Sequence, residues 1–176
     1  YPIVDPVGIH ARPAGLLVKT AKAFSGTEIS VTKGDKTVKS TQLMKLMGLG
    51  VKGGDTVTVT AEMMDQFKAI TGDVSPIHID ADYAKDRGFP GRVVYGMLGA
   101  SFFSTLAGVY LPGEHCLLHG VECKFAKPVF IGDTLTITGT VVNVSEAVAE
   151  AEIKAVITNQ DGKRVTRGII KAGLAK

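Results

Sequence analysis

Long hydrophobic runs are missing from this chain. No apolar stretch approaches the roughly 20 residues that cross a bilayer, and the first residues lack a signal-peptide pattern, so neither a membrane span nor export is expected. Charge of one sign is missing too: 20 Lys and Arg stand against 17 Asp and Glu, for a net +3. The basic residues are scattered, with no aromatics between them to stack on bases, which argues against nucleic acid. The mild positive balance still suits an anionic ligand such as a phosphorylated cofactor. Cysteine is scarce: Cys116 and Cys123 match no metal-ligand or redox spacing. Two thiols in a chain this long read as reduced core residues rather than a disulfide. No metal site is expected. There is no Pro/Ser-rich linker, internal repeat or low-complexity segment. What remains, 176 residues with 45% hydrophobic and 21% charged, reads as a soluble cytoplasmic protein of bacterial type. It is one domain or two small ones joined tightly. Tyr1 opens the chain in place of methionine, so residues are expected before it.

The periodicity predicts a short strand over Pro2 to Asp5. A helix follows from His10 to Phe24, where Ala14, Leu17, Val18, Ala21 and Phe24 recur at three and four. Pro13 suits its first turn, where a missing N–H costs nothing. Thr27 to Thr32 alternates as a strand, Gly34-Asp35 turns the chain, and Thr37-Val38 begins the return. Ser40 or Thr41 can cap a helix from Gln42 to Met47 that ends at Gly48 to Gly50. Asp55 to Ala61 alternates Val and Thr as a strand. From Glu62 a short helix is expected through Met64, Phe67 and Ile70, ending at Gly72. Val93 to Tyr110 reads as the longest and most apolar helix, with small residues on one face. Four strands follow at about 117–128, 133–144, 148–159 and 163–174, with turns at Gly132-Asp133 and Gln160-Asp161-Gly162.

Chemistry concentrates in one window. Gly72-Asp73-Val74-Ser75-Pro76-Ile77-His78 sets a carboxylate and an imidazole five positions apart, with proline between them. Held near an apolar helix, such a pair can activate a water and move its protons, which is what hydration or dehydration of an activated double bond requires. This window, the Val94-Tyr95-Gly96-Met97-Leu98 helix start and Lys127-Pro128-Val129-Phe130-Ile131-Gly132-Asp133 resemble the MaoC-like, (R)-specific enoyl-CoA hydratase family over about residues 52 to 176. The resemblance implies a hotdog fold, an antiparallel sheet wrapped round a long central helix. It implies that Asp73 and His78 are the catalytic pair and that the Gly96 N–H binds the thioester oxygen. Ser104 would support the site from the same helix. A homodimer sharing the acyl tunnel and an acyl-CoA substrate without a further cofactor are implied as well. Ser75 stands where many members have Asn, and Tyr95 where many have His; neither removes the Asp–His pair. Asp80 and Asp82 read as solvent-facing loop charges, Lys124 and Lys127 as solvated strand lysines or contacts for cofactor phosphates. His115 and His119 read as structural or exposed.

A second signal lies upstream. A phosphoryl group on His10 would face the open N–H groups of a helix start, with the Arg12 guanidinium beside it. Gly8-Ile9-His10-Ala11-Arg12-Pro13-Ala14 resembles the phosphocarrier protein HPr of the sugar phosphotransferase system, a likeness that continues to about residue 61. It implies an open-faced β-sandwich, His10 as phosphoryl acceptor with Arg12 as its partner, and Leu43, Met44 and Met47 as an apolar patch for phosphotransferase-system proteins. Gln42 aligns with the regulatory serine of some HPr proteins, so phosphorylation there is not expected. The last HPr helix is missing as such, and Met63 to Ile70 occupies its place.

The chain thus reads as α+β, with an HPr-like segment over 1–54 and a hotdog hydratase over 55–176, a natural or engineered fusion. The strand at 55–61 is claimed by both and is expected to serve the hotdog, whose larger core gains more from closure. Three functions remain open: reversible hydration of trans-2-enoyl-CoA, phosphotransfer or regulation through His10, and acyl-thioester binding without turnover.

Overall fold

The alternation of apolar and polar residues downstream of residue 130 builds three strands of a five-stranded sheet. The structure is a computed structural model that describes residues 11–23, 30–33, 36–39, 52–145 and 147–174. Strands β1 (Ser30–Lys33) and β2 (Lys36–Lys39) follow helix α1 (Ala11–Lys22) and form an antiparallel pair with Val31 opposite Val38. The expected Pro2–Asp5 strand, Gly34-Asp35 turn and Gln42–Met47 helix lie outside the described residues, as does His10.

The remaining elements are β3 (Lys52–Thr58), α2 (Ala61–Thr71), α3 (Pro76–Ile79), α4 (Ala81–Asp86), α5 (Gly96–Thr105), β4 (Cys116–Phe125), β5 (Thr134–Ser145), β6 (Glu150–Thr158) and β7 (Arg164–Leu174). All five of these strands are antiparallel in the order β3-β5-β6-β7-β4. The last three strands run as consecutive hairpins, but β4 crosses to the far edge and pairs with β7 rather than β5. The four downstream strands therefore do not form a simple meander. The doubly claimed strand pairs with β5 along its whole length, Lys52 opposite Thr140 through Thr58 opposite Thr134.

Period-two burial defines the inner face. Leu135 and Ile137 on β5, and Ala151, Ile153, Ala155 and Ile157 on β6, are buried, with more polar or less buried residues between them. This face is closed by α5, whose Leu98, Ala100 and Phe103 are buried with Leu106 and Ala107 beyond it. Two strand glycines permit that approach. A Cβ on Gly168 would stand 2.8 Å from the Phe103 ring, and one on Gly139 would stand 2.9 Å from Leu106. Phe103 is 0% exposed, and its burial is worth about 1.5–3 kcal/mol.

Several boundaries differ from expectation for physical reasons. The helix expected from Val93 begins at Gly96, because Val94 N–H donates to the Val129 carbonyl (2.8 Å) and Val93 bridges Phe130. Its last turn, Leu106–Tyr110, widens to π geometry. The strand expected over 55–61 runs instead over Lys52–Thr58, since Thr60 caps α2 and its side chain accepts from Met63 N–H (3.2 Å). Helix α2 ends at Gly72 as expected, in the left-handed conformation (φ 71°) that favours glycine. Two short helices were not foreseen. Asp80 is a cap rather than a loose loop charge: Oδ1 accepts from Asp82 and Tyr83 N–H and starts α4. Asp82 is exposed and pairs with Lys85. Among the described residues no helix is long and apolar enough to cross a membrane.

Candidate active site

The loop between α2 and α3 is built by local side-chain bonds. Thr71 Oγ1 donates to the Phe67 carbonyl (2.8 Å) as α2 ends. Asp73 Oδ1 then accepts from Ser75 N–H (2.9 Å), an Asx-type turn. Pro76 takes the first position of α3, where its fixed φ suits a helix start. His78 follows on that single turn, its N–H donating to the Ser75 carbonyl (3.0 Å).

The imidazole is fixed at one edge. His78 Nδ1 lies 2.7 Å from the Val93 carbonyl. A carbonyl only accepts, so Nδ1 carries the hydrogen and the lone pair of the neutral ring is on Nε2. The ring is also held by its face. Tyr95, 2% exposed, lies 4.2 Å from it between centroids and 5.1 Å from Phe67. The Tyr95 hydroxyl donates to the Asp73 backbone carbonyl (2.8 Å). Tyrosine 95 therefore touches both members of the sequence-predicted pair. Burial, then the Asp73 charge, push its phenol pKa up, with Arg92 opposing; the hydroxyl stays a protonated donor at neutral pH.

His78, Tyr95 and Gly96 line a cavity of about 330 Å³ with Gly99, Phe125 and Leu135. Gly96 is the first residue of α5, so its N–H has no acceptor within the helix. A Cβ there would meet the Phe125 ring at 3.2 Å, so a side chain would narrow the space in front of that N–H. The wall is mostly apolar, which strengthens any hydrogen bond made inside it. Lys127 sits on the same lining, whereas Lys124 lies beside a different surface depression with Lys154 and Arg167.

The structure brings His78, Tyr95 and Gly96 to one cavity and ties the Asp73 loop to Tyr95. Asp73 and Ser75 are exposed and do not line the cavity. Ser75 contributes through its backbone. Ser104 is exposed on α5, eight residues or about 12 Å beyond Gly96, and also lies outside the lining. Arg12 is the second residue of α1. His119 pairs with Glu150 (2.7 Å), and His115 is exposed. Both cysteines are free thiols, and burial pushes that of Cys116 up. Among the described residues no cluster of His, Cys, Asp or Glu could hold a metal.

Sequence reasoning missed Arg92. Its Nε donates to the His78 carbonyl (2.7 Å) and its Nη2 to Asp65 Oδ1 (3.1 Å). The available signal was an arginine set directly before an apolar run.

Comparison with known proteins gives two matches along the chain. Residues 44–164 match the family described as MaoC like domain, and residues 1–72 match the family described as PTS HPr component phosphorylation site. The two overlap over the doubly claimed strand and α2. An (R)-specific enoyl-CoA hydratase of Rhodospirillum rubrum is 37% identical over 87 residues, 49% of this chain; the chain spans 60% of that relative's length. A phosphocarrier protein HPr of Haemophilus influenzae is 41% identical over 68 residues, 39% of this chain and 79% of the relative. Among solved structures, an (R)-hydratase from A. caviae involved in PHA biosynthesis superposes with a TM-score of 0.69 at 32% identity, covering 72% of this chain and 96% of that one. The sheet and helix are accordingly those of a hotdog fold.

Proposed function

This chain belongs to the MaoC like domain family and carries an HPr-family segment ahead of it, and from that premise we propose that it hydrates trans-2-enoyl-CoA reversibly to (R)-3-hydroxyacyl-CoA. The observation that carries the reading is the imidazole of His78, locked by Val93 with Nδ1 protonated, on the wall of an apolar cavity that also contains the Gly96 helix start.

The steps follow from those groups. The thioester oxygen accepts from Gly96 N–H, with the positive end of α5 behind it. A water held by His78 Nε2, with the Asp73 carboxylate on the adjoining exposed loop as its proposed second partner, gives up a proton to the pair as its oxygen bonds to C3. Electrons move to the thioester oxygen as an enolate, which Gly96 N–H stabilises. The enolate then collapses as C2 takes the proton back from the pair. One hydroxyl on C3 and one hydrogen on C2 account for the water, so no cofactor is consumed; coenzyme A is the substrate's handle. Tyr95 and the Ser75 backbone hold the Asp73 loop, and no step is assigned to Ser104.

The assembly we propose is a homodimer. Edge strand β4 leaves Leu117, Leu118, Val121 and Phe125 exposed, an apolar edge that a second copy would cover. Because β3 joins the hotdog sheet from Lys52 onward, we move the proposed boundary from 54/55 to 51/52, with the hotdog after it and the HPr-like segment, an open-faced β-sandwich without its last helix, before it, and place the protein in the cytoplasm. The match over 1–72 favours a second role: His10, with Arg12 beside it, accepts a phosphoryl group from phosphotransferase-system proteins.

The test is loss of the ultraviolet absorbance of crotonyl-CoA on adding protein, beside Asp73→Asn. Loss with the wild type alone supports the hydratase and its carboxylate. No loss with either, together with tight acyl-CoA binding, replaces the enzyme with a binding hotdog.

A further inference from the structure

We propose that Arg92 is the positioning residue of this site: its guanidinium fixes the one-turn helix α3 so that His78 meets the cavity in a single tautomer. Its catalytic consequence rests on the hydratase reading above; its geometry does not.

The argument begins with how little else holds α3. It is four residues long and buries none of them. A single turn is unstable on its own, because nucleating a helix costs more than one hydrogen bond returns. Packing does not fix it, so bonds from outside must. They come from two consecutive residues. Val93 N–H donates to the Ile77 carbonyl (3.0 Å), His78 Nδ1 donates to the Val93 carbonyl (2.7 Å), and Arg92 Nε donates to the His78 carbonyl (2.7 Å).

The arginine bond differs from the other two in kind. It is charge-assisted, about twice as strong as a neutral one. It satisfies a carbonyl at a helix end, where intrahelical partners are lacking. It is also braced: Nη2 reaches Asp65 on α2, and the arginine side chain is only 18% exposed. One guanidinium therefore ties α2, α3 and the segment entering α5 together. A lysine has one ammonium and cannot serve both partners in that planar geometry. Tyr95, three residues on, covers the face of the same imidazole. Residues 92 to 95 thus grip His78 by backbone, edge and face.

The experiment compares wild type, Arg92→Lys, Arg92→Gln and Asp65→Asn by two readouts: the imidazole nitrogen and N–H resonances of His78, and crotonyl-CoA hydration. Asp73, Arg92 and Asp65 act on the Tyr95 phenol that packs on the ring, and Lys127 lines the same cavity as His78, so spectra are taken at one pH. The expected result is a single Nδ1-protonated tautomer in wild type and a mixture of tautomers in both Arg92 variants. We expect kcat to fall about 10- to 100-fold with KM within about threefold, because Gly96 and the cavity wall are untouched. Asp65→Asn, which leaves the Nε bond in place, gives a smaller fall in the same direction. Arg92→Lys keeps charge and length, so a folded variant is in hand if Arg92→Gln unfolds. An unchanged His78 tautomer in the folded Arg92 variants overturns the proposal. A wild type with no turnover overturns the hydratase reading instead, while the His78 resonances still decide the role of Arg92.

Discussion

Removing one oxygen from Tyr95 separates its two contacts. Tyr95→Phe keeps the ring 4.2 Å from His78 and loses the 2.8 Å bond to the Asp73 carbonyl. The hydroxyl is buried with the rest of the residue, but its acceptor is on an exposed loop. Water can replace the donor at Asp73, so the cost is near the ordinary net value, about 1 kcal/mol, or about fivefold in the folding equilibrium. Urea unfolding at neutral pH measures it. Alkaline pH supplies a second, sharper test. The Tyr95 pKa is raised in the folded state by burial and by Asp73. Below the ordinary value near 10 the phenol is protonated folded or unfolded, and its contribution is complete. As pH climbs through that value the unfolded chain loses the proton first, so stability falls until the folded pKa is passed. Tyr95→Phe should therefore unfold more easily than wild type at pH 7 and lose less on going to high alkali. If the two proteins lose stability in parallel there, the raised phenol pKa is wrong. In turnover, freeing the Asp73 loop should lower kcat with little change in KM; an unchanged kcat would mean that the loop is held by its Asx turn alone.

Asp73→Asn should lower crotonyl-CoA hydration by about 10²- to 10⁴-fold without loss of the fold, measured as initial rates beside circular dichroism; a rate within tenfold of wild type refutes the assigned role. Gly168→Ala should destabilise the hotdog by about 1–3 kcal/mol, because its methyl would run into the Glu122 backbone carbonyl on the neighbouring strand and also stand 2.8 Å from the buried Phe103 ring; denaturant titration checks it, and an unchanged midpoint would refute the close approach. His10→Ala should abolish acid-labile phosphate incorporation from phosphoenolpyruvate and the first phosphotransferase enzyme while leaving hydration measurable; label retained on the variant would move the acceptor elsewhere.

Much of the hotdog is legible from residues because its strands are half-buried. Leu135 and Ile137, and Ile153, Ala155 and Ile157, repeat at two, and the four downstream strands lie where that repeat puts them. Short elements escape. Four or six residues show too little periodicity, so α3 and α4 appear only through Pro76 and the Asp80 cap. Val93 and Val94 continue the apolar pattern of the helix but are drawn into extended pairing with Val129 and Phe130, a contact no local rule contains. At the site, His78 and Gly96 were marked by motif and meet at the cavity. Arg92 was not, because its partners are 14 and 27 positions back in the chain. Ser104 reads as a site hydroxyl by its position along the helix; it is exposed and outside the lining of the cavity.

The edge position of β3 also sets how the chain bears load. Its first rung, Lys52 with Thr140, is the one nearest the upstream segment, and the last, Thr58 with Thr134, leads into the α2 cap. Tension arriving from the N-terminal side meets the rungs singly, in the order Lys52 to Thr58, as a seam is opened from one end. A strand in the centre of the sheet would be held by ladder bonds on both of its sides. The upstream segment is therefore attached through the strand with one ladder to lose, and the β5–β6, β6–β7 and β7–β4 pairs share no bond with that ladder.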